Sequence, residues 1–319
     1  MKNKFLTSLI IFIIATVQAF AQNNYAKADA HALKVGKLDS TNMGSITTIL
    51  TKPFTEKADK ARAIYTWIAN NIVYDLKAIR SSRNDKDATA DVLLYRKATA
   101  EGFAKLYQDM CSSAGIRCLT VDGFLKRDAS VIGEKEDEKN HTWNVVQLDI
   151  SPTQWYYVDV ALASGNFDSD MKVLTKVFST QYFFPDKKIF NWQHFPDNLA
   201  WKLESGPKSK NDFLNLPVIQ TASFIYGLQN FTPSSGIIKS KTNQAVKFAF
   251  TLSNTDSINK VAIKFVIKKK TITKYVEYNL SGNKLSFTYK FDKDDTMPIV
   301  ILINDKEFIS YLAIIEDAE

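Results

Sequence analysis

The chain has 319 residues, of which 45% are hydrophobic, 24% charged and 12% aromatic, and its formal net charge is +7. These values are typical of a globular protein that is long enough for two domains of ordinary size. The lysines and arginines are scattered rather than gathered into a dense run with aromatic side chains, which argues against nucleic acid as a partner.

The N-terminus predicts export. Lys2 and Lys4 precede the apolar run FLTSLIIFIIATV, and Ala19-Phe20-Ala21 follows with small residues at the spacing of a cleavage site. A membrane span needs about 20 apolar residues, which is more than this run offers. We therefore expect residues 1–21 to be a cleaved signal peptide and the mature protein to be periplasmic or extracellular, with no transmembrane segment after cleavage.

Two helices are the clearest elements of the next hundred residues. Residues 23–50 are expected to form an irregular lead-in with one short helix. The segment Phe54–Asp75 repeats apolar residues at i, i+3 and i+4, which predicts an amphipathic helix. Residues 76–92 are polar and charged and are expected to form a surface loop. A second helix is predicted over 99–114, and Gly115 provides the left-handed residue that ends it.

Three strands are predicted next, at residues 118–126, 141–149 and 154–162. Residues 165–215 are rich in aromatic side chains and are expected to be irregular. Within that segment, His194 is expected to pack structurally beside Trp192 and Trp201.

The pattern changes after Pro217. Six segments with alternating apolar and polar residues follow at intervals of about ten residues, without a helical pattern between them. Short strands at this spacing are typical of a β-sandwich. The sequence therefore predicts an α+β domain over residues 22–210 and an all-β sandwich over 211–319.

Chain connections bring three of the N-terminal segments to one edge. The strand at 118–126 follows the 99–114 helix after a short connection, so it runs back toward the helix N-terminus. The next strand is antiparallel to it, which places His141 close to residues 99–102. The third strand returns and carries Asp159 to the same edge. A helix N-terminus, a histidine and an aspartate form the layout of a nucleophile, base and orienter triad.

Four motifs in this order resemble the transglutaminase-like superfamily, and its kyphoscoliosis-peptidase-like branch in particular: DKARAIYTWIANNIVYD, EGFAKLYQDMCSSAGIRCLTVDGFLK, NHTWNVV and WYYVDVA. The resemblance covers roughly residues 50–215 and extends more loosely over the sandwich. It implies a papain-like α+β domain, in which a helix packs on an antiparallel sheet, followed by an immunoglobulin-like sandwich.

The resemblance also implies roles for individual positions. His141, in HTWN, corresponds to the histidine base of the family, and Asp159, in WYYVD, corresponds to its orienting aspartate. The nucleophilic cysteine of the family corresponds to Ala100, immediately before EGFA, so the nucleophile is missing. Thr99, next to this position, is expected to cap the helix.

The two cysteines do not replace that nucleophile. Cys111 lies 11 residues after Ala100 on the predicted helix, which corresponds to about 16 Å. Cys118 starts a strand at the same far end, and a proton-transfer contact requires about 3 Å. In an exported protein, Cys111 and Cys118 either form a disulfide or remain two buried thiols, and both alternatives stay open.

These observations predict an exported, catalytically inactive transglutaminase-like protein that binds a peptide, protein or cell-wall ligand in the remaining cleft. One alternative is an active peptidase, amidase or protein-crosslinking acyltransferase with an unexpected nucleophile. Another is a structural envelope protein that uses the fold as a scaffold. No cofactor is expected, and no metal site, because His31, His141 and His194 are too dispersed in the sequence to form a metal-binding motif.

Overall fold

The computed structural model describes residues 25–318, apart from positions 39, 84, 149–152, 169 and 268–269. The expected signal peptide at residues 1–21 lies outside the described residues. Within the described part of the chain, no helix is both long enough and apolar enough to cross a membrane.

The first described hundred residues are mainly helical. They form α1 (Ala26–Val35), α2 (Met43–Thr51), α3 (Lys57–Asn71), α4 (Leu76–Arg80), α5 (Thr89–Tyr95) and α6 (Ala100–Ser113). The predicted helix over Phe54–Asp75 is present as α3, shorter at both ends, because Glu56 and Ile72 already have extended backbones.

Two predictions about this region are wrong. The lead-in at 23–50 contains two helices rather than one, and the expected surface loop at 76–92 contains α4 and the start of α5. The side chain of Asp75 accepts the Ala78 N–H and so begins α4. Polar composition hid α4 in particular, because this helix buries no side chain.

Helix α6 agrees closely with its prediction. Its apolar stripe is fully buried and consists of Phe103, Leu106, Tyr107 and Met110. Ala114 is the C-cap, and Gly115 follows with a positive φ of 73°. A glycine adopts this left-handed conformation without the strain that a Cβ atom would introduce.

Eight strands accompany these helices: β1 (Val73–Tyr74), β2 (Lys97–Ala98), β3 (Arg117–Leu125), β4 (His141–Gln147), β5 (Trp155–Val158), β6 (Asn166–Phe167), β7 (Leu174–Thr175) and β8 (His194–Pro196). The main sheet has the order β5-β4-β3-β8, and all its neighbours are antiparallel. Two short helices, α7 (Val160–Ala163) and α8 (Lys187–Gln193), lie between these strands in sequence. Residues 165–215 were expected to be irregular, yet they supply the edge strand β8.

The C-terminal part is a two-sheet sandwich. It is preceded by α9 (Lys210–Leu214), β9 (Val218–Ile219) and α10 (Thr221–Ile225). Its strands are β10 (Leu228–Thr232), β11 (Ile237–Lys241), β12 (Ala245–Leu252), β13 (Val261–Ile267), β14 (Lys270–Val276), β15 (Asn279–Ser281), β16 (Lys284–Lys290), β17 (Asp295–Ile303) and β18 (Lys306–Glu316). One sheet has the order β10-β12-β16-β15, and the other has the order β11-β18-β17-β13-β14, with β9 also paired to β18. The predicted fold class, a helix packed on an antiparallel sheet followed by an all-β sandwich, is confirmed.

A buried lysine links the two parts. Lys126, directly after β3, donates from Nζ to the main-chain carbonyls of Phe213 and Leu216. Burial lowers the pKa of Lys126 to about 7. The next turn of chain packs on the sandwich, because Ala129 and Ile132 form a small apolar cluster with Val218. The loop before His141 therefore rests against the sandwich; the boundary near residue 210 remains a prediction.

Candidate functional site

The site is built around one buried carboxylate. Asp159 follows β5 and is the N-cap of α7, where its Oδ1 accepts the Leu162 N–H at 2.8 Å. An aspartate at this position satisfies one of the free amide groups of the first helical turn. The side chain of Asp159 is inaccessible to solvent. Its second oxygen, Oδ2, is therefore held in a fixed direction inside the protein.

His141 is the first partner of that oxygen. It is the first residue of β4, and its Nε2 lies 2.6 Å from Asp159 Oδ2. Burial alone would raise the pKa of Asp159, but His141 and then His194 outweigh burial and hold that pKa far below its usual range. The contact between His141 and Asp159 that the strand connections predicted is present. The catalytic roles of these two residues remain predictions.

His194 is the second partner, and the sequence analysis missed it. Its Nε2 lies 3.0 Å from the same Asp159 oxygen. Its ring stacks on Phe190 at 3.8 Å between centroids and meets the edge of Trp143 at 5.1 Å. The prediction that His194 packs beside Trp192 and Trp201 is wrong.

The pairing of β8 with β3 explains the new position of His194, which lies opposite Leu125 in that ladder. Burial lowers the pKa of His194 to about 4, against the opposing effect of Asp159. The ring is therefore neutral at pH 7 and donates one N–H to the carboxylate. No local sequence signal marks this residue, because a three-residue strand has too little periodicity to be read from sequence.

The same three side chains are the candidate metal ligands of the described chain. Each of His141, Asp159 and His194 offers one ligand atom, and these atoms lie within 4.8 Å of one another. Dispersal in the sequence therefore did not prevent the two histidines from converging. The Nε2 atoms of His141 and His194 already lie within hydrogen-bonding distance of Asp159. A cation bound at these atoms would have to displace two buried hydrogen bonds. Hydrogen bonding explains the cluster without a metal ion.

Ala100 lies at the same end of the domain. Asn144 on β4 donates to the Ala104 carbonyl on α6 at 3.0 Å. Ala100 precedes Ala104 by four residues, about 6 Å along the axis of α6. His141 precedes Asn144 by three residues, about 10 Å along β4. Since α6 and β4 run in the same direction, both steps lead to the same edge. Ala100 is half-buried.

The histidine has an unused nitrogen. Within the described part of the chain, His141 Nδ1 is buried and has no hydrogen-bond partner. In a nucleophile–base–orienter triad, one ring nitrogen faces the orienting carboxylate and the other faces the nucleophile. Here the first contact exists, and the assignment of Ala100 to the position of the nucleophile remains a prediction from the resemblance. The arrangement can hold a proton between His141 and Asp159.

A buried carboxylate lies at the N-terminus of α6. Asp87 accepts the Thr99 N–H at 2.9 Å and also accepts the Thr99 hydroxyl. Thr99 is the N-cap residue, as expected, but its side chain does not cap the helix. Burial raises the pKa of Asp87, and the two bonds from Thr99 oppose that effect. A Cβ atom on Gly102 would lie 2.3 Å from Asp87 Oδ1, so this carboxylate requires glycine there.

The two cysteines lie at the opposite end of α6. Both Cys111 and Cys118 are buried free cysteines, which is the second of the two alternatives left open by the sequence. Burial raises the pKa of Cys118 well above its usual value. A buried, protonated thiol is a poor nucleophile. Neither cysteine is placed to serve His141.

Comparison with known proteins places this geometry in context. A model of the Transglutaminase-like superfamily matches residues 45–160. Kyphoscoliosis peptidase of Mus musculus is 28% identical over 222 residues, covering 69% of this chain and 33% of that protein. The Homo sapiens protein of the same name is 30% identical over 188 residues, covering 59% and 28%.

A third relative is the Lim and transglutaminase domain protein ltd-1 of Caenorhabditis elegans, which is 26% identical over 219 residues, covering 64% of this chain and 29% of that protein. The chain therefore spans about a third, or less, of the length of these curated relatives. The alignment with a solved structure from Parabacteroides distasonis covers 90% of this chain and 58% of that protein's chain, at 11% identity and a TM-score of 0.28. That score is too low to support an argument.

Proposed function

Since this chain is a transglutaminase-like domain protein of the kyphoscoliosis-peptidase-like branch, we propose that it is an exported, catalytically inactive member of that group. It binds a peptide, protein or cell-wall component at the α6 edge. The observation that carries the proposal is the His141–Asp159 contact, together with an alanine, Ala100, as the first residue of α6. A base and its orienter without a nucleophile can recognise a ligand but cannot begin covalent acyl transfer.

A structural role is the second candidate, and one observation favours it. The side chains of His141, Asp159 and His194 are all inaccessible to solvent. A ligand on the surface around the half-buried Ala100 therefore does not touch these three side chains directly. If that surface binds nothing, the buried network serves to stabilise the fold.

Ligand binding can be tested at Ala100 itself. We expect the purified protein to show no peptidase activity and no amine incorporation into casein, and to bind members of an array of acetylated hexapeptides and soluble cell-wall fragments. Ala100→Trp would fill the approach to the site and should abolish that binding. Ala114→Trp is the matched control, because Ala114 is half-buried at the other end of the same helix.

Two results would contradict this proposal. Turnover that disappears in His141→Ala would show an active enzyme. Failure of the native protein to bind any array member, with a normally folded chain, would favour the structural role instead.

Export has its own test. The charged start, apolar run and Ala19-Phe20-Ala21 signal support cleavage after Ala21. We expect protein purified from the periplasm or medium of an expressing bacterium to begin at Gln22 when its N-terminus is sequenced. An uncleaved chain retained in the cytoplasm would contradict export while leaving ligand binding unaffected.

A further inference from the structure

A cationic side chain lies beside the candidate site without an acidic partner. Arg127, two residues after β3, is half-buried. Its guanidinium carbon lies 4.5 Å from the centre of the Phe167 ring, and its Nη2 lies 3.4 Å from the hydroxyl oxygen of Tyr74. Among the residues that the structure describes, no carboxylate forms an ion pair with Arg127. Most of its N–H donors therefore have no acceptor among those described residues.

The acids nearest in sequence are already engaged. Asp75 follows Tyr74, and its carboxylate accepts the Ala78 N–H at 2.9 Å. Asp128 follows Arg127, and its carboxylate accepts the Ser130 N–H at 2.7 Å. Each carboxylate thus accepts a backbone N–H two or three residues further along the chain. The guanidinium is thus positioned by aromatic rings and one hydroxyl rather than by a salt bridge.

Tyr74 adds a second donor at the same place. Its hydroxyl oxygen accepts from Arg127, and no described residue accepts the hydroxyl hydrogen. Burial raises the pKa of Tyr74 to about 12, although Arg127 acts against this. The hydroxyl is therefore protonated at neutral pH and remains a donor. The N–H donors of Arg127 and the neighbouring Tyr74 hydroxyl complement an anion with two oxygens, and a guanidinium fork fits a carboxylate best.

This donor pair lies next to the edge where Ala100 is found. Tyr74 pairs with Ala98 across the β1–β2 ladder, two residues before Ala100. The Tyr74 ring also lies 5.2 Å from the ring of Phe103, which is one helical turn after Ala100 on α6. A ligand that covers Ala100 is therefore within reach of the guanidinium.

We propose that Arg127 and Tyr74 form a carboxylate-binding subsite, so that the ligand of this domain is a peptide carrying a carboxylate that docks beside Ala100. This rests on the proposed function for the identity of the larger ligand. The carboxylate belongs either to a C-terminus or to an aspartate or glutamate side chain. The subsite itself depends only on the two donors.

The subsite is tested with small probes of defined charge. The Nε–H signal of Arg127 in the ¹⁵N-labelled protein is assigned from its loss in Arg127→Gln, and the protein is titrated at constant ionic strength. N-acetyl-alanine presents a C-terminal carboxylate, N-acetyl-glutamic acid α-amide presents a side-chain carboxylate, and N-acetyl-glutamine amide is the neutral match. We expect a saturable shift with at least one acid, with a dissociation constant on the order of millimolar, and none with the neutral probe.

Variants separate the subsite from general ionic effects. With the Phe167 amide as reporter, Arg127→Gln should lose the saturable response and Tyr74→Phe should weaken it several-fold. Arg117 is the matched control, because it also stacks on an aromatic ring, Trp155 at 5.1 Å, but lies at the other end of β3. Arg117→Gln should leave the response unchanged.

Three outcomes would overturn the subsite. They are no saturable shift with either acid, an equal shift with the neutral probe, and an equal shift at the Arg117 Nε–H. None of these depends on the peptide array, so failure of the array contradicts the proposed function alone. Failure of the probes, with array binding retained, contradicts the subsite alone.

Discussion

At the scale of single residues, Asp159 has two histidine partners where a triad needs one. Both histidines lie within hydrogen-bonding distance of the same carboxylate oxygen, and His194 is also stacked on Phe190. A buried carboxylate without hydrogen-bond donors costs several kcal/mol, so the second histidine stabilises Asp159 as an anion. The pair therefore has a structural reason to exist even when no reaction takes place.

The low pKa of His194 predicts that the folded protein becomes less stable in acid. In the folded protein this pKa is about 4, compared with 6.5 for an unperturbed histidine. The unfolded chain thus takes up the proton first, and the contribution of His194 to stability is complete above pH 6.5 and is lost as pH falls toward 4. We expect the free energy of unfolding to decrease by up to about 1.4 kcal/mol per pH unit over that window, as measured by urea denaturation.

His194→Gln should flatten this slope, because the amide keeps a donor for Asp159 but does not titrate. His31→Gln is the control, since His31 is a surface histidine that contacts the Ile49 carbonyl at 3.0 Å. An unchanged slope in His194→Gln would show that another group takes up the proton.

At the scale of elements, helix α6 sets the electrostatic difference between its two ends. The N-terminus of a helix favours a thiolate and the C-terminus disfavours one. We expect iodoacetamide to label Ala100→Cys at least about tenfold faster at pH 7 than Ala114→Cys, with rates followed by intact-mass spectrometry. The native protein should remain unlabelled because Cys111 and Cys118 are buried.

The fast labelling should also depend on the base. Adding His141→Ala to Ala100→Cys should slow the reaction toward that of an ordinary thiol. Equal, slow labelling at both ends of α6 would mean that the unused nitrogen of His141 is not directed at position 100. The labelling would then give no evidence for a silenced triad.

At the scale of the whole molecule, Lys126 joins the sheet of the first part to the segment that leads into the sandwich. Its pKa is about 7 in the folded protein and 10.5 when unperturbed. Between these values the unfolded chain holds a proton that the folded chain has released. Stability therefore rises with pH, by up to about 1.4 kcal/mol per unit.

We expect the difference in unfolding free energy between the native protein and Lys126→Met to grow from pH 7 to pH 9.5. Lys208→Met controls for the loss of an exposed lysine. A difference that stays constant with pH would show that the carbonyls of Phe213 and Leu216 keep Lys126 charged.

The sequence by itself determined the helices α3 and α6, the three strands β3 to β5, the all-β character of the C-terminal part, and the contact between His141 and Asp159. Helical and strand periodicities act over neighbouring residues, and short connections fix the direction of the next element. The sequence also showed an alanine where the resemblance predicts the cysteine, because the EGFA motif directly after Ala100 identifies that position.

Only the tertiary structure brought His194 to Asp159, which lies 35 residues away, and Arg127 to Tyr74, which lies 53 residues away. Both contacts depend on elements of two or three residues, β8 and β1, which have no periodicity of their own. β8 forms by pairing with the longer strand β3, whereas β1 pairs with the equally short β2, and Tyr74 is buried in the core. Their side chains therefore cannot be assigned to a site until the whole chain has folded.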